Sequence, residues 1–281
     1  MPTIKDLRRE YQQEICQNAI HMKKGNIPSM ADVASVLSVQ LSQKLLSQLG
    51  FPTSPVDIMG QTAGKAFENA TRSFLEQSFA LLQHLRPAEW QFSVQGYINN
   101  FVQYQHLADL NALVQKDRVL RTALGDYVVK PDVIVARWPV SDSTINQQQI
   151  IVEVEQEPRF TPFREANQSQ PQPILHASIS CKFTLRSDRS QNARTEGLNL
   201  IRNRKGHTPH IVVVTAEPMP TRLASLALGT GDIDCVYHFA LSELIEAAEN
   251  TQNEAVIESL AIMVEGNRLR DISDLPFDLI A

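Results

Sequence analysis

The sequence predicts a mixed α/β fold: a mixed central β-sheet flanked by helices, with a helical N-terminal portion. Three observations predict it. Helix formers with apolar side chains at three-to-four spacing dominate the first 120 residues. Short β-branched runs bounded by turn residues dominate residues 121–281. Helical or turn-rich pieces separate those runs, as in a sheet covered by helices.

Residues 5–22 and 30–49 are rich in helix formers, and "GFPTSP" at 50–55 stops the pattern. In 61–85, Phe67, Ala70, Phe74 and Phe79 recur at roughly helical spacing. A further helix is expected over 98–114. Strands are expected at "DVIVARW" (132–138), "QIIVEVE" (149–155), "SISCKFTL" (178–185), "HIVVVTA" (210–216) and "CVYHFAL" (235–241). The Pro- and Gln-rich stretch 158–173 reads as a loop. With no internal repeat, the chain reads as one domain over 1–281, mainly helical over 1–120 and an α/β core over 121–281.

Composition narrows the function. The chain has 281 residues and is 43% hydrophobic, enough for a substantial core. It has no apolar run near the length of a membrane span, and residues 1–13 are too polar for a signal peptide, so no membrane partner and a cytoplasmic location are expected. Cys16, Cys181 and Cys235 are odd in number and far apart, against a disulfide framework or a paired-cysteine zinc site. The net charge of −5 speaks against nucleic acid only globally, because binding depends on where the cations sit. Between Lys182 and Lys205 seven basic residues meet two acids, a local net charge of +5. The alternative reading of that segment is a solvated helix with a basic face.

The chemistry gathers where strands end. Over 178–186, alternation puts Ile179, Cys181, Phe183 and Leu185 on one face and Ser178, Ser180, Lys182, Thr184 and Arg186 on the other. Upstream, "KPDVIVAR" places Asp132 at the entrance to another apolar strand. Its alternative is a strand-start aspartate such as many α/β proteins carry. An acid and a lysine on adjacent strands match the layout of the PD-(D/E)XK nucleases. Phosphodiester hydrolysis calls for an activated water and a cation that neutralises charge developing on the phosphate. Hard Mg²⁺ takes oxygen ligands, which Asp132 and one further carboxylate offer.

The usual signature has a second acid two residues before the lysine; here that position is Ser180, in "SCK". The chain resembles the CCGG-cutting family of type II restriction endonucleases at this point. Members carry Ser-x-Lys and supply the missing carboxylate from the following helix, and fourteen residues beyond Lys182 stands Glu196. The resemblance runs through "LHASISCKFTLRSDRSQNARTEGLNLIRNRKG", "PHIVVVTAEP" and "LALGTGDIDCVYHFAL", with "GQTAGKAFE" and "DISDLP" beside it. It implies the PD-(D/E)XK restriction-endonuclease-like core. It further implies a centre of Asp132, Lys182 and Glu196 with Ser180 beside them, and Mg²⁺ held by Asp132, Glu196 and the backbone carbonyl of Cys181. Glu68, in "GKAFE", would support the metal or its waters.

Arg186, Asp188 and Arg189 suit guanine O6/N7 and cytosine N4 edges, and the resemblance implies that "RSDR" reads CCGG. The alternative is a salt-bridge cluster capping the helix. Asp32 and Gln61 match positions that contact the outer G·C pair, so GCCGGC is the expected site. The residues after Asp32 depart from the family, with Ala34 where a serine is expected and Ser35 adjacent. The resemblance implies double-stranded DNA as substrate, cleavage before the first C of CCGG with four-base 5′ overhangs, a homodimer or homotetramer, and a cognate DNA methyltransferase. Three readings compete: another PD-(D/E)XK nuclease of different specificity, a non-catalytic DNA-binding protein on this fold, and a cysteine hydrolase using Cys181 with His176.

Overall fold

A computed structural model describes residues 2–119, 122, 129–229 and 231–281, with the backbone but not the side chains of 187–189. The expected division at 120/121 therefore falls outside the described residues.

Helix α1 (Ile4–Asn18) opens with a reciprocal cap: the Asp6 amide donates to Thr3 Oγ1 at 3.2 Å and the Thr3 amide to Asp6 at 2.8 Å. It stops short of residue 22 because Met22–Lys23 (β1) pairs antiparallel with Ile27–Pro28 (β2). Helix α2 runs over Val36–Leu49, starting later than expected because Ser35 caps it by accepting from the Ser38 amide. The long α3 (Gly60–Leu82) lies against α1, with Tyr11 of α1 packed on Phe67 and Phe74. Of the helix expected over 98–114, a short 3-10 turn (Ile98–Asn100) and α4 (His106–Lys116) form.

The central sheet has six strands in chain order: β3 (Trp90–Val94), β4 (Val133–Arg137), β5 (Ile174–Lys182), β6 (His210–Thr215), β7 (Cys235–His238) and β8 (Leu269–Asp271). β3, β4 and β5 pair antiparallel, whereas β5 to β8 run parallel. The mixed sheet matches the expected class, but its first strand comes from the portion read as helical. Alternate residues of β4 serve two cores: Val133 and Val135 join the cluster around α1–α3, and Ile134 and Ala136 join Phe101, Tyr104 and Leu200. A bulge shifts the β4–β5 register between Val135 and Ala136, leaving His176 as the extra residue, so Leu175 joins the opposite cluster from Ala177. A four-residue helical turn (Asp142–Ile145) and a 3-10 turn (Glu165–Asn167) lie between β4 and β5, and the longer helices that follow are α5 (Ser187–Asn203), α6 (Pro220–Ala227), α7 (Leu241–Glu249), α8 (Glu254–Glu265) and α9 (Leu275–Ile280).

Three expected strands change. Residues 149–155 form no strand; Ile150, Ile151 and Val154 are exposed. Part of their backbone is bonded by side chains instead of a sheet neighbour. Asn146 Oδ1 accepts from the Ile151 and Val152 amides, and the buried Arg164 guanidinium gathers the Glu153, Gln156 and Pro158 carbonyls together with the Asp142 carboxylate. β5 ends at Lys182, not Leu185, because the Leu185 amide turns to the side chain of Glu217. β7 ends at His238, where residues 239–240 lead into α7. The N-terminus is tied to the far sheet edge by Arg8, which bonds Asp271 and Glu243 at 2.7–2.8 Å. Among the described residues no helix is long and apolar enough to cross a membrane.

Candidate active site

The sheet direction creates the site. β4 and β5 are antiparallel with Val133 opposite Ile179, which sets Asp132 beside Ser180 although the two are far apart in sequence. Asp132 Oδ2 accepts from Lys182 Nζ at 2.9 Å and from the Cys181 amide at 2.8 Å, with Ser180 Oγ at 3.5 Å. From the other side Glu196 Oε2 reaches Ser180 Oγ at 3.4 Å. The serine thus stands between two carboxylates, one at a strand start and one on a helix.

Glu196 holds this position because α5 is seated hard against the chain at Asp232. A Cβ on Gly197 would lie 2.3 Å from the Asp232 carbonyl oxygen, so a glycine is required there. Arg194, on the same helix, clamps the Asp232 carboxylate at 2.8 and 2.9 Å and bonds the Leu226 and Leu228 carbonyls. Glu68, on α3, faces the same cleft as Asp132, Lys182 and Glu196, and its Oε2 accepts from Gln95 Nε2 at 3.1 Å.

Burial and then the nearby Asp132 raise the Glu68 carboxyl above its ordinary value. Burial likewise raises Glu196, with Asp132 adding to the shift and Lys182 opposing it. Burial alone would depress the Lys182 ammonium, but Asp132 and Glu196 outweigh it and hold it above its ordinary value. Lys182 is the cation bonded directly to this group of carboxylates, and Lys23 and Arg186 line the same cleft. Among the described residues no three His, Cys, Asp or Glu side chains are grouped so as to hold a metal ion by themselves. Two carboxylates around an open cleft suit Mg²⁺, which keeps several waters and takes one or two carboxylates together with substrate phosphates.

Beyond Lys182 the connector 183–186 is pinned at both ends. Thr215 Oγ1 donates to the Lys182 carbonyl at 2.6 Å, and the Leu185 amide donates to Glu217 Oε2 at 2.8 Å. Glu217 is fully buried and also accepts from the Met219 amide at 3.1 Å. Arg222 lies 3.7 Å from Glu217 and pairs with Asp32. The Ala34 amide and this guanidinium hold the Asp32 carboxyl below its usual range.

Two clefts meet along this connector. One is lined by Glu68, Asp132, Lys182, Glu196 and Gln61, the other by Asp32, Gln191, Arg194 and Arg222, and Arg186, Thr184 and Lys23 line both. Asp32 and Gln61 thus stand in different clefts, on either side of Arg186. The side chains of Asp188 and Arg189 lie outside the described residues. Cys181 is poorly suited to a nucleophilic role. Burial, with Asp132 nearby, pushes its thiol well up, and His176 Nε2 pairs with the Leu279 carbonyl at 2.6 Å. Sequence reasoning missed Gln95, Glu217, Arg222 and Asn192, which lines the first cleft one helical turn before Glu196. Only the spacing of Asn192 from Glu196 offered a signal.

Comparison with known proteins gives the family. The family model described as NgoMIV restriction enzyme matches residues 11–281. The type II restriction enzyme NgoMIV of Neisseria gonorrhoeae is 43% identical over 285 residues, with 99% of each chain covered. The chain is a site-specific deoxyribonuclease acting on DNA, and it belongs to the NgoMIV restriction enzyme family.

Proposed function

We propose that this endonuclease makes Mg²⁺-dependent double-strand cuts at GCCGGC, before the first C of CCGG, leaving four-base 5′ overhangs. The observation that carries the reading is the pair of carboxylates, Asp132 and Glu196, meeting at Ser180 with Lys182 on Asp132. Asp132 and Glu196 would hold the metal, with the Cys181 carbonyl as a further ligand and Glu68 supporting it across the cleft. When bound, the ion supplies Lewis acidity at the scissile phosphate. Ser180 spaces the two carboxylates. Lys182, fixed by Asp132, keeps its positive charge where negative charge develops on the phosphate. Arg186, Asp188 and Arg189 would read the CCGG edges, and Asp32 and Gln61 the outer pair from either side.

A palindromic site calls for a two-fold protein, so a homodimer or homotetramer is proposed. In support, Ile150, Ile151, Val154 and Phe160 are exposed on the connection between β4 and β5. Such apolar side chains favour assembly. A cytoplasmic location and a cognate methyltransferase acting on the same site complete the proposal.

Digestion of DNA of known sequence with Mg²⁺, followed by mapping of the ends, tests specificity and cut position. Asp132→Ala and Lys182→Ala should abolish cutting while a mobility shift persists. Normal cutting by both variants would refute the active-site assignment, and ends at other sequences would refute GCCGGC.

A further inference from the structure

Gln95 occupies an unusual place beside the cleft. It follows directly after β3, whose last pair is Val94 with Val133, so Gln95 lies opposite Asp132. Its backbone amide donates to the Asp132 carbonyl at 3.1 Å, while its side-chain amide donates to Glu68 Oε2 at 3.1 Å. One residue therefore grips both acid-bearing walls of the cleft, the start of β4 by its main chain and α3 by its side chain.

The backbone is bent to allow this. Gln95 has φ 55°, in the left-handed region that residues with a Cβ adopt at a cost. The next residue, Gly96, leaves room that a side chain would take, since a Cβ there would lie 2.6 Å from Ile134 Cδ1. The chain thus turns sharply back at the end of β3, and the turn brings the glutamine side chain to Glu68 on the wall of the cleft.

The chemistry of the amide fits a positioning task. A lysine or arginine at this place would fix Glu68 equally well but would neutralise it, in competition with a divalent cation. A neutral donor orients the carboxylate and leaves its charge available. We propose that Gln95 is a positioning residue for the divalent-cation site, holding Glu68 at a set separation from Asp132. This inference rests on the assignment of Asp132, Glu196 and Glu68 to that site.

The test reads cation binding directly, by the electron paramagnetic resonance signal of free Mn²⁺ titrated with the full-length protein. Gln95→Asn tolerates the left-handed backbone but is too short to reach Glu68. It should weaken Mn²⁺ binding by about 10–100-fold, the usual effect of removing a partner that orients a metal-supporting group. If Gln95→Asn unfolds, Gln95→Gly, which keeps the backbone geometry, takes its place. In a Glu68→Gln background the effect of the Gln95 substitution should vanish, because the two residues act as one unit. A merely structural turn would lose stability without that dependence.

Wild-type Mn²⁺ affinity in the Gln95 variants, with Asp132→Ala defective, would overturn the role of Gln95 and leave the site standing. An undiminished Gln95 effect in the Glu68→Gln background would also overturn it. Unchanged Mn²⁺ binding in Asp132→Ala would refute the site itself, and this inference with it.

Discussion

Replacing Gly197 by alanine should both loosen the protein and slow DNA cleavage. The added Cβ would lie 2.3 Å from the Asp232 carbonyl oxygen and 3.3 Å from Ile211 Cγ2. Carbon and oxygen approach in comfort only to about 3.3 Å, so the helix or the facing backbone must retreat by about 1 Å. The backbone at 232 is poorly placed to yield, because Arg194 clamps the Asp232 side chain and the Asp234 amide bonds the Ile211 carbonyl at 2.7 Å. Overpacking of this kind costs about 1–3 kcal/mol, offset in part by the gain of up to about 1 kcal/mol for alanine over glycine in a helix. A net loss of about 1–2 kcal/mol is expected, read as a lower urea midpoint at constant slope. Glu196 is the neighbouring residue, and its 3.4 Å approach to Ser180 would open with the helix. A misplacement of this size costs on the order of 100-fold in rate, measured as single-turnover cleavage of a GCCGGC duplex at saturating Mg²⁺. Wild-type stability and rate together would refute the reasoning. Lost stability with an unchanged rate would show that this contact does not set the position of Glu196.

Two further outcomes are expected. Arg164→Ala removes the guanidinium shared by Asp142 and three carbonyls, and should lower the urea midpoint at constant slope. Limited proteolysis should then nick residues 150–163 first, and unchanged protection there would count against it. Burial lowers the His238 imidazole from 6.5 to about 4, so the folded chain binds fewer protons than the unfolded one. Its contribution is present above about pH 6.5 and is lost as the pH falls toward 4, the loss reaching about 2 kcal/mol by pH 5. Urea midpoints at pH 7 and 5 should differ less for His238→Gln than for wild type; an equal difference would sink the assignment.

The sequence carried the candidate site further than it carried the sheet. Lys182 was legible because strand alternation fixes which face such a side chain takes, whereas Asp132 was read from its place at a strand entrance and Glu196 from the family resemblance alone. Beyond the bulge at His176 the faces of β5 followed alternation, with Ile179 and Cys181 buried and Lys182 turned to the cleft. The segment 149–155 misled because β-branched residues favour a strand without guaranteeing a neighbour, and Arg164 and Asn146 satisfied its backbone instead. β3 and β8 escaped notice as edge strands, one half-buried throughout and the other three residues long. Gln95, Glu217 and Arg222 were invisible for a different reason. Their importance lies in partners 27 to 190 residues away, which no local pattern encodes.

The connector 183–186 has a consequence for fidelity. With the Lys182 carbonyl and the Leu185 amide both anchored to residues around the end of β6, it has little freedom to act as a hinge. In the proposed assignment the base-reading arginine and the catalytic lysine then move as one rigid piece. A duplex that seats wrongly under Arg186 carries its phosphate away from Lys182 by the same displacement. Discrimination would need no signal passed between distant parts: a wrong sequence is left uncut because its backbone arrives at the wrong address.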